Sequence, residues 1–494
     1  MFLRRARPFL ILLAWLATCI LVIVYIKTAY QSSRFFQFVC LVEFVIAFAA
    51  GISSHRWRFV LVGFAILSFP RIPSILGQAA LHNVLFPLFL GLAFGRLLIG
   101  FRFLAARSND EPTPSYSGYF TLFVILLLLS ASASSVLQYS EFEISFANRI
   151  LAPGMTTHYA MFLSTTLALN LLAPLLWIAA ERAVAASHDR SSPVRDVTEV
   201  ATAANPNEVA RYVAMGVTLG VIAYAAVALL QGSIASLSAG IADRGIEMGR
   251  RPGLFSDSGS SGAILCSLIM MAAIFIFPKR RVASFSLFLL MFCITMPFQG
   301  RVIWLGLAGV CMVLPFCYNQ LHLSPRPLMV AVLFCATLLI VVLCFGKYSI
   351  LDTDLVFQAM QRIDPVRPTL LDWGLEIFWK SPWVGHGLNS FIPQLMESEV
   401  IHPEIFPENS PGLIPGILND VGILGFLVLA VLLGRYLRLL AQTMSTSAFA
   451  DIQLRAFVFL PLSLAPTFLI GYHVLHPEIA AFVLLPLLVV PPGR

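Results

Sequence analysis

The sequence predicts an all-α fold: a polytopic transmembrane bundle of about twelve to fourteen helices with one large loop on its outer face. Three observations predict it. Hydrophobic residues make up 59% of 494 and charged residues only 12%, roughly half the charged share of a soluble domain, and the mean hydropathy is +0.86. Many windows hold the roughly 20 apolar residues that a hydrocarbon-spanning helix needs. When the runs are threaded alternately, 20 of the 32 lysines and arginines fall on the side of the basic start MFLRRAR, which is the positive-inside bias.

The apolar runs lie near 8–27, 35–51, 57–71, 80–100, 118–139, 159–181, 209–231, 260–277, 282–299, 301–318, 328–346, 412–434, 455–472 and 476–491. Those at 57–71 and 476–491 are short for a crossing. Lipid satisfies no exposed backbone group, so helices are the spanning element for runs of this length. The first run follows a basic start, as a signal peptide would. No small-residue cleavage site follows within Lys27 to Arg34, so the run is kept as a helix with a cytoplasmic N-terminus. The chain then divides into a bundle over 1–346, containing the first eleven helices and a polar cytoplasmic linker at 183–208; a large outer loop at 347–411; and C-terminal transmembrane helices over 412–494.

The net charge of +7 reflects this topology and the anionic lipid of the cytoplasmic face; nothing resembles a nucleic-acid module. The eight cysteines fall in apolar runs. They read as small core residues rather than a disulfide framework or a metal site, and no metal or cofactor is expected.

The outer loop differs in kind from the linker. It carries Trp373, Trp379, Trp383, Phe378 and Phe391, and Leu370, Leu371, Gly374, Leu375 and Phe378 recur at helical spacing. This predicts a helix over 367–380, lying on or near the bundle and ended by Lys380-Ser381-Pro382.

Polar groups at the outer helix ends carry the chemistry. RRPGLFSDSGSSG at 250–262 sets Arg250 and Arg251 before a helix that Asp257, Ser258 or Ser260 can cap. Paired guanidiniums beside a helix N-terminus suit an anion; an ordinary cap with interfacial snorkelling explains the same residues. Arg301, in the tight Gln299-Gly300-Arg301 turn, is either an interfacial anchor or a group turned into the bundle. Arg367 opens the loop helix. Convergence of Arg251, Arg301 and Arg367 on one outer cavity would neutralise a lipid diphosphate.

Two histidines are placed to accept a hydroxyl proton near neutral pH: His386, in the flexible Gly385-His386-Gly387 turn, and His402, in EVIHPEIFPEN. Either is equally a solvent-exposed loop histidine. Asp420, with Asn419, reads as a helix-start residue and a polar group of the site. His473 and His476 flank the last outer turn. Glu43, mid-helix in an apolar run, is costly in lipid and marks either function or an interhelical hydrogen bond.

The succession RRPGLFSDSGS, QGRVIW, RPTLLDWGLEIFWKSPWVGHGLNSF and LNDVGILGF resembles the bacterial O-antigen ligase and polysaccharide polymerase superfamily. The matching positions are Arg251 with Phe255; Arg301; Arg367 with Trp373; Pro382 with Gly385, Gly387 and Phe391; and Asp420 with Gly422 and Gly425. They span residues 250–435.

The resemblance implies an enzyme of the bacterial inner membrane with its large loop periplasmic. Such an enzyme transfers a glycan from undecaprenyl diphosphate to an acceptor hydroxyl, without a metal. The acceptor is lipid A-core in a ligase and another lipid-linked saccharide in a polymerase. The arginines would hold the diphosphate, and a loop histidine would orient or deprotonate the acceptor. Many members carry His-Asn about nine residues before the acidic residue; here Pro411-Gly412 stand there. His402, further upstream, or Glu408 would have to serve. The departure favours a polymerase over a ligase. The rival classes are a transporter or flippase for a lipid-linked glycan, and an envelope-assembly scaffold that uses the loop as a docking surface.

Overall fold

The computed structural model describes residue 22 and residues 34–53, 56–68, 85–104, 144–146, 149–151, 155–188, 206–230, 258–295, 302–318, 366–387, 391, 413–444, 451–469 and 477–489. These residues are helical apart from turns and a short antiparallel hairpin that pairs Ile144–Phe146 with Arg149–Leu151. In chain order the helices are α1 (Arg34–Ile52), α2 (Trp57–Ser68), α3 (Phe86–Leu104), α4 (Met155–His188), α5 (Pro206–Leu230), α6 (Ser258–Ile276), α7 (Arg281–Thr295), α8 (Val302–Cys317), α9 (Val366–Lys380), α10 (Leu413–Met444), α11 (Ile452–Phe459) and α12 (Pro477–Leu484). The last two continue as 3-10 turns over Leu460–Leu469 and Leu485–Leu488.

Among the described residues two helices are long and apolar enough to cross a membrane: Pro206–Leu230 and the Ile414–Val431 part of α10. Eight shorter apolar helices accompany them among the described residues. The expected runs at 118–139 and 328–346 and nearly all of 8–27 lie outside the described residues.

Glycine sets the closest helix approaches. A Cβ at Gly95 would come within 2.6 Å of the Phe48 carbonyl oxygen, and one at Gly51 within 2.7 Å of the Leu92 carbonyl oxygen; Gly91 and Gly95 form a small-xxx-small face that lets α3 lie against α1. A Cβ at Gly63 or Gly216 would likewise overlap backbone of the facing helix, which seats α2 on α5. The main core runs through α2 to α6 around Trp177, Tyr224 and Phe89, all fully buried.

A buried ionic cluster ties three of these helices together. Arg58 of α2 donates to Glu181 of α4 through Nε at 2.6 Å and through a terminal nitrogen at 3.2 Å. Arg96 of α3 brings its Nε within 3.2 Å of Glu181 Oε2, which the Arg58 terminal nitrogen also contacts, and the Trp177 indole donates to Glu181 Oε1 at 3.3 Å. One residue on, Arg182 donates to the Leu487 carbonyl and pins the 3-10 turn after α12.

Some boundaries differ from expectation. The linker read at 183–208 is shorter, because α4 runs through the alanine-rich AVAASH to His188 and α5 opens at Pro206. Alanine favours continuing a helix, and proline suits its first position. Among the described cysteines Cys266 and Cys317 are buried, but Cys293 and Cys311 are exposed on helix faces, so these two are not core residues.

Candidate functional site

The loop helix α9 forms over Val366–Lys380, the stretch that the spacing of Leu370, Gly374 and Phe378 predicts. It packs on the first half of α10. A Cβ at Gly374 would meet Asn419, Phe391 and Pro415 at ordinary contact distance, 3.6–3.7 Å, so this face of α9 lies directly against α10 and Phe391. Phe378, Leu418 and Phe426 form a separate small core with Ile414, Ile417 and Ile423 packed against it. Phe391, just beyond the turn, is 1% exposed. The segment is a folded module seated on α10.

Its tip meets a break in that helix. Gly422 has φ 65 and ψ −171, a combination that essentially only glycine adopts. In an unbroken helix Ile423 and Leu424 would donate to the carbonyls of Asn419 and Asp420. Here those four groups bond to the loop. Asn419 and Asp420 accept from the backbone N–H of His386 (2.7 Å) and Gly387 (2.9 Å), and Ile423 and Leu424 donate to the carbonyls of Pro382 (2.8 Å) and Trp383 (3.2 Å). The turn 381–387 therefore stands in for the missing helical bonds, as buried backbone groups require.

Glycines make the docking sterically possible. Gly385 has φ 72 and Gly387 φ 101. A Cβ at Gly385 would lie 2.5 Å from the Asp420 carbonyl carbon, and one at Gly422 would lie 2.5 Å from the Val384 nitrogen. The two glycine motifs, Pro382-x-x-Gly385-x-Gly387 and Asp420-x-Gly422, are thus two sides of one contact. The turn expected to be flexible is pinned instead. Its glycines serve left-handed backbone and close approach rather than motion.

Within this contact His386 bonds through Nε2 to the Ile377 carbonyl at 2.9 Å. A carbonyl only accepts, so Nε2 carries the hydrogen, and in the neutral ring Nδ1 is the accepting nitrogen. The Ser381 hydroxyl closes the turn by donating to the Gly385 carbonyl at 2.9 Å. Asp420 is 1% exposed and Asn419 fully buried. Neither starts the helix: α10 opens at Leu413, and the two residues end its first half because the break follows at Gly422. Among the described residues both polar atoms of the Asn419 side chain lack a hydrogen-bond partner, an expensive state for a buried amide.

The structure brings together His386, Asp420 and the module that carries Trp373, which is half-buried. Arg367 is the second residue of α9; Arg250, Arg251, Arg301, His402, Glu408, His473 and His476 lie outside the described residues. Glu43, on α1, has one buried carboxylate oxygen without a hydrogen bond among the described residues. No group of three or more metal-ligating side chains occurs among the described residues.

Sequence reasoning missed two features. Asn419 looked like a helix-start residue because its burial depends on α9 arriving from elsewhere in the chain. Glu181 stands at the end of the apolar run 159–181, and Arg58 and Arg96 lie within the runs 57–71 and 80–100. Their signal was available, since each is an ionisable residue at or inside an apolar run.

No protein-family model, curated protein or solved structure matches the chain.

Proposed function

We propose that this chain is a polytopic enzyme of the bacterial inner membrane that transfers undecaprenyl-diphosphate-linked saccharide to an acceptor hydroxyl at the periplasmic face, as a polysaccharide or O-antigen polymerase. The observation that carries the reading is the seating of the His386 turn in the α10 break. It joins two motifs of the resemblance and sets an accepting imidazole nitrogen and a buried carboxylate on one element junction.

In the proposed reaction the acceptor oxygen bonds to the anomeric carbon of the donor. The bond from that carbon to the diphosphate oxygen breaks, and its electron pair leaves with the diphosphate. The acceptor proton passes to a base, for which His386 Nδ1 and His402 are the alternatives; Asp420 orients the junction. Arg251, Arg301 and Arg367, with Arg250 beside them, hold the diphosphate, whose charge a guanidinium fork matches. Trp373 offers a face on which a sugar ring can stack. The chemistry needs neither metal nor cofactor. An O-antigen ligase acting on lipid A-core would use the same groups and differ only in acceptor.

A transporter of lipid-linked glycan is the second reading. It is favoured by the broken helix, a device of transport sites, and by the buried Arg58–Glu181–Arg96 cluster. A deletion strain of the source bacterium distinguishes them. Single repeat units on lipid A-core mean a lost polymerase, and glycan retained on the lipid carrier at the periplasmic face means a lost ligase. Glycan retained at the cytoplasmic face means a lost transporter, and unchanged glycan defeats all three.

A further inference from the structure

We propose that the turn 381–387 is a re-entrant element lying within the outer leaflet, with Trp379, Trp383 and Val384 against phospholipid acyl chains. The proposal rests on α10 crossing the membrane, not on the glycosyltransfer.

Depth is the first argument. Between Asp420 and Arg435 the chain carries no charge, and Ile414–Val431 is apolar enough to span. Gly422 stands thirteen residues before Arg435 (435 − 422). At about 1.5 Å per residue that is about 20 Å of helix. With Arg435 at the cytoplasmic boundary of a core about 30 Å thick, Gly422 lies about 10 Å beneath the outer boundary. The turn bonds to residues 419, 420, 423 and 424 and so shares that depth. A loop lying outside the membrane could not make these bonds to mid-span backbone.

Chemistry is the second. Non-helical backbone survives at membrane depth only where its polar groups are satisfied by protein or cavity. Residues 381–387 carry no fixed charge. The Ser381 hydroxyl and the His386 ring both bond to backbone carbonyls, and the N–H groups of Gly385, His386 and Gly387 all donate to backbone carbonyls. Lys380, just before the turn, has a stem long enough to carry its amine toward the headgroups.

The third is the exposed surface. Trp383 is 64% and Val384 66% exposed, with Trp379 beside them at 48%. The Trp383 carbonyl bonds to Leu424, and Leu424, Leu427 and Val431 continue the exposed apolar strip along α10. A strip continuous with the outer face of a membrane-crossing helix meets the solvent of that helix, which is lipid.

The test places the photoreactive residue p-benzoylphenylalanine at Val384 or at Leu427 in the full chain. Native membranes are irradiated, and the adduct is identified by mass spectrometry. Phospholipid adducts at 384, in yield matching those at 427, are expected. Lipid at 427 with no lipid adduct at 384 sinks the re-entrant turn while leaving the span intact, and a protein adduct at 384 assigns the surface to a protein partner and sinks it too. No lipid at 427 removes the span itself, and the proposal with it. A second measurement guards against a damaged variant. In vesicles of phosphatidylethanolamine and phosphatidylglycerol brominated on the acyl chains, the wild-type protein should lose a larger fraction of its tryptophan fluorescence than W379F/W383F. Equal quenching contradicts the proposal.

Discussion

Gly385 is the residue on which the docking of the turn depends most directly. It holds left-handed backbone and faces the Asp420 carbonyl carbon at a distance no Cβ can enter. Gly385→Ala should cost more than the about 1–2 kcal/mol of left-handed strain alone, because overlap adds to it; loss of the turn would appear as faster proteolytic cleavage between Lys380 and Phe391. His386→Ala removes one hydrogen bond, worth about 1 kcal/mol of stability, so thermal unfolding should shift little. Under the proposed chemistry its transfer activity should fall by about 10²–10⁴-fold, read as lost glycan ladder; a full ladder would return the base to His402. Asn419 presents the opposite balance. Its amide is fully buried with both polar ends unpaired among the described residues, so Asn419→Leu should unfold no earlier than wild type and should gain up to about 1–3 kcal/mol. Reduced glycan from that more stable variant would identify Asn419 as a substrate group.

At the scale of elements, α10 is two half-helices joined through another segment. The loop replaces two helical hydrogen bonds with four of its own, so break and loop sustain each other. Gly422→Ala forbids the observed backbone and should drive residues 419–424 back toward continuous helix. The turn would then be released, which amide hydrogen exchange would show as lost protection at His386 and Gly387 with protection retained at Ile423 and Leu424. Protection unchanged at all four would refute the exchange. Much of this was visible in the chain: the α9 spacing, the Lys380-Ser381-Pro382 stop and both glycine motifs can be read directly. That the motifs touch was not visible, because 35 residues separate Gly385 from Asp420 (420 − 385) and nothing local encodes their pairing.

For the whole molecule, the Arg58–Glu181–Arg96 cluster joins α2, α3 and α4 through one shared carboxylate. Glu181→Gln removes the carboxylate that both guanidiniums contact and should destabilise by about 3–5 kcal/mol. Arg96→Met keeps the two-point Arg58–Glu181 pair and should cost much less, so thermal unfolding in detergent should rank wild type, then R96M, then E181Q. A reversed order would mean that Arg96 has a counter-charge beyond Glu181. Helical class, the apolar runs and the loop helix were determined by the sequence alone, because hydropathy and 3.6-residue spacing act over one or two turns. Only the tertiary structure decided that Gly422 breaks α10, that a loop repairs the break, and that Glu181 is a buried hub. Each depends on distant segments supplying hydrogen bonds or charge, and no local pattern records which distant partner will arrive.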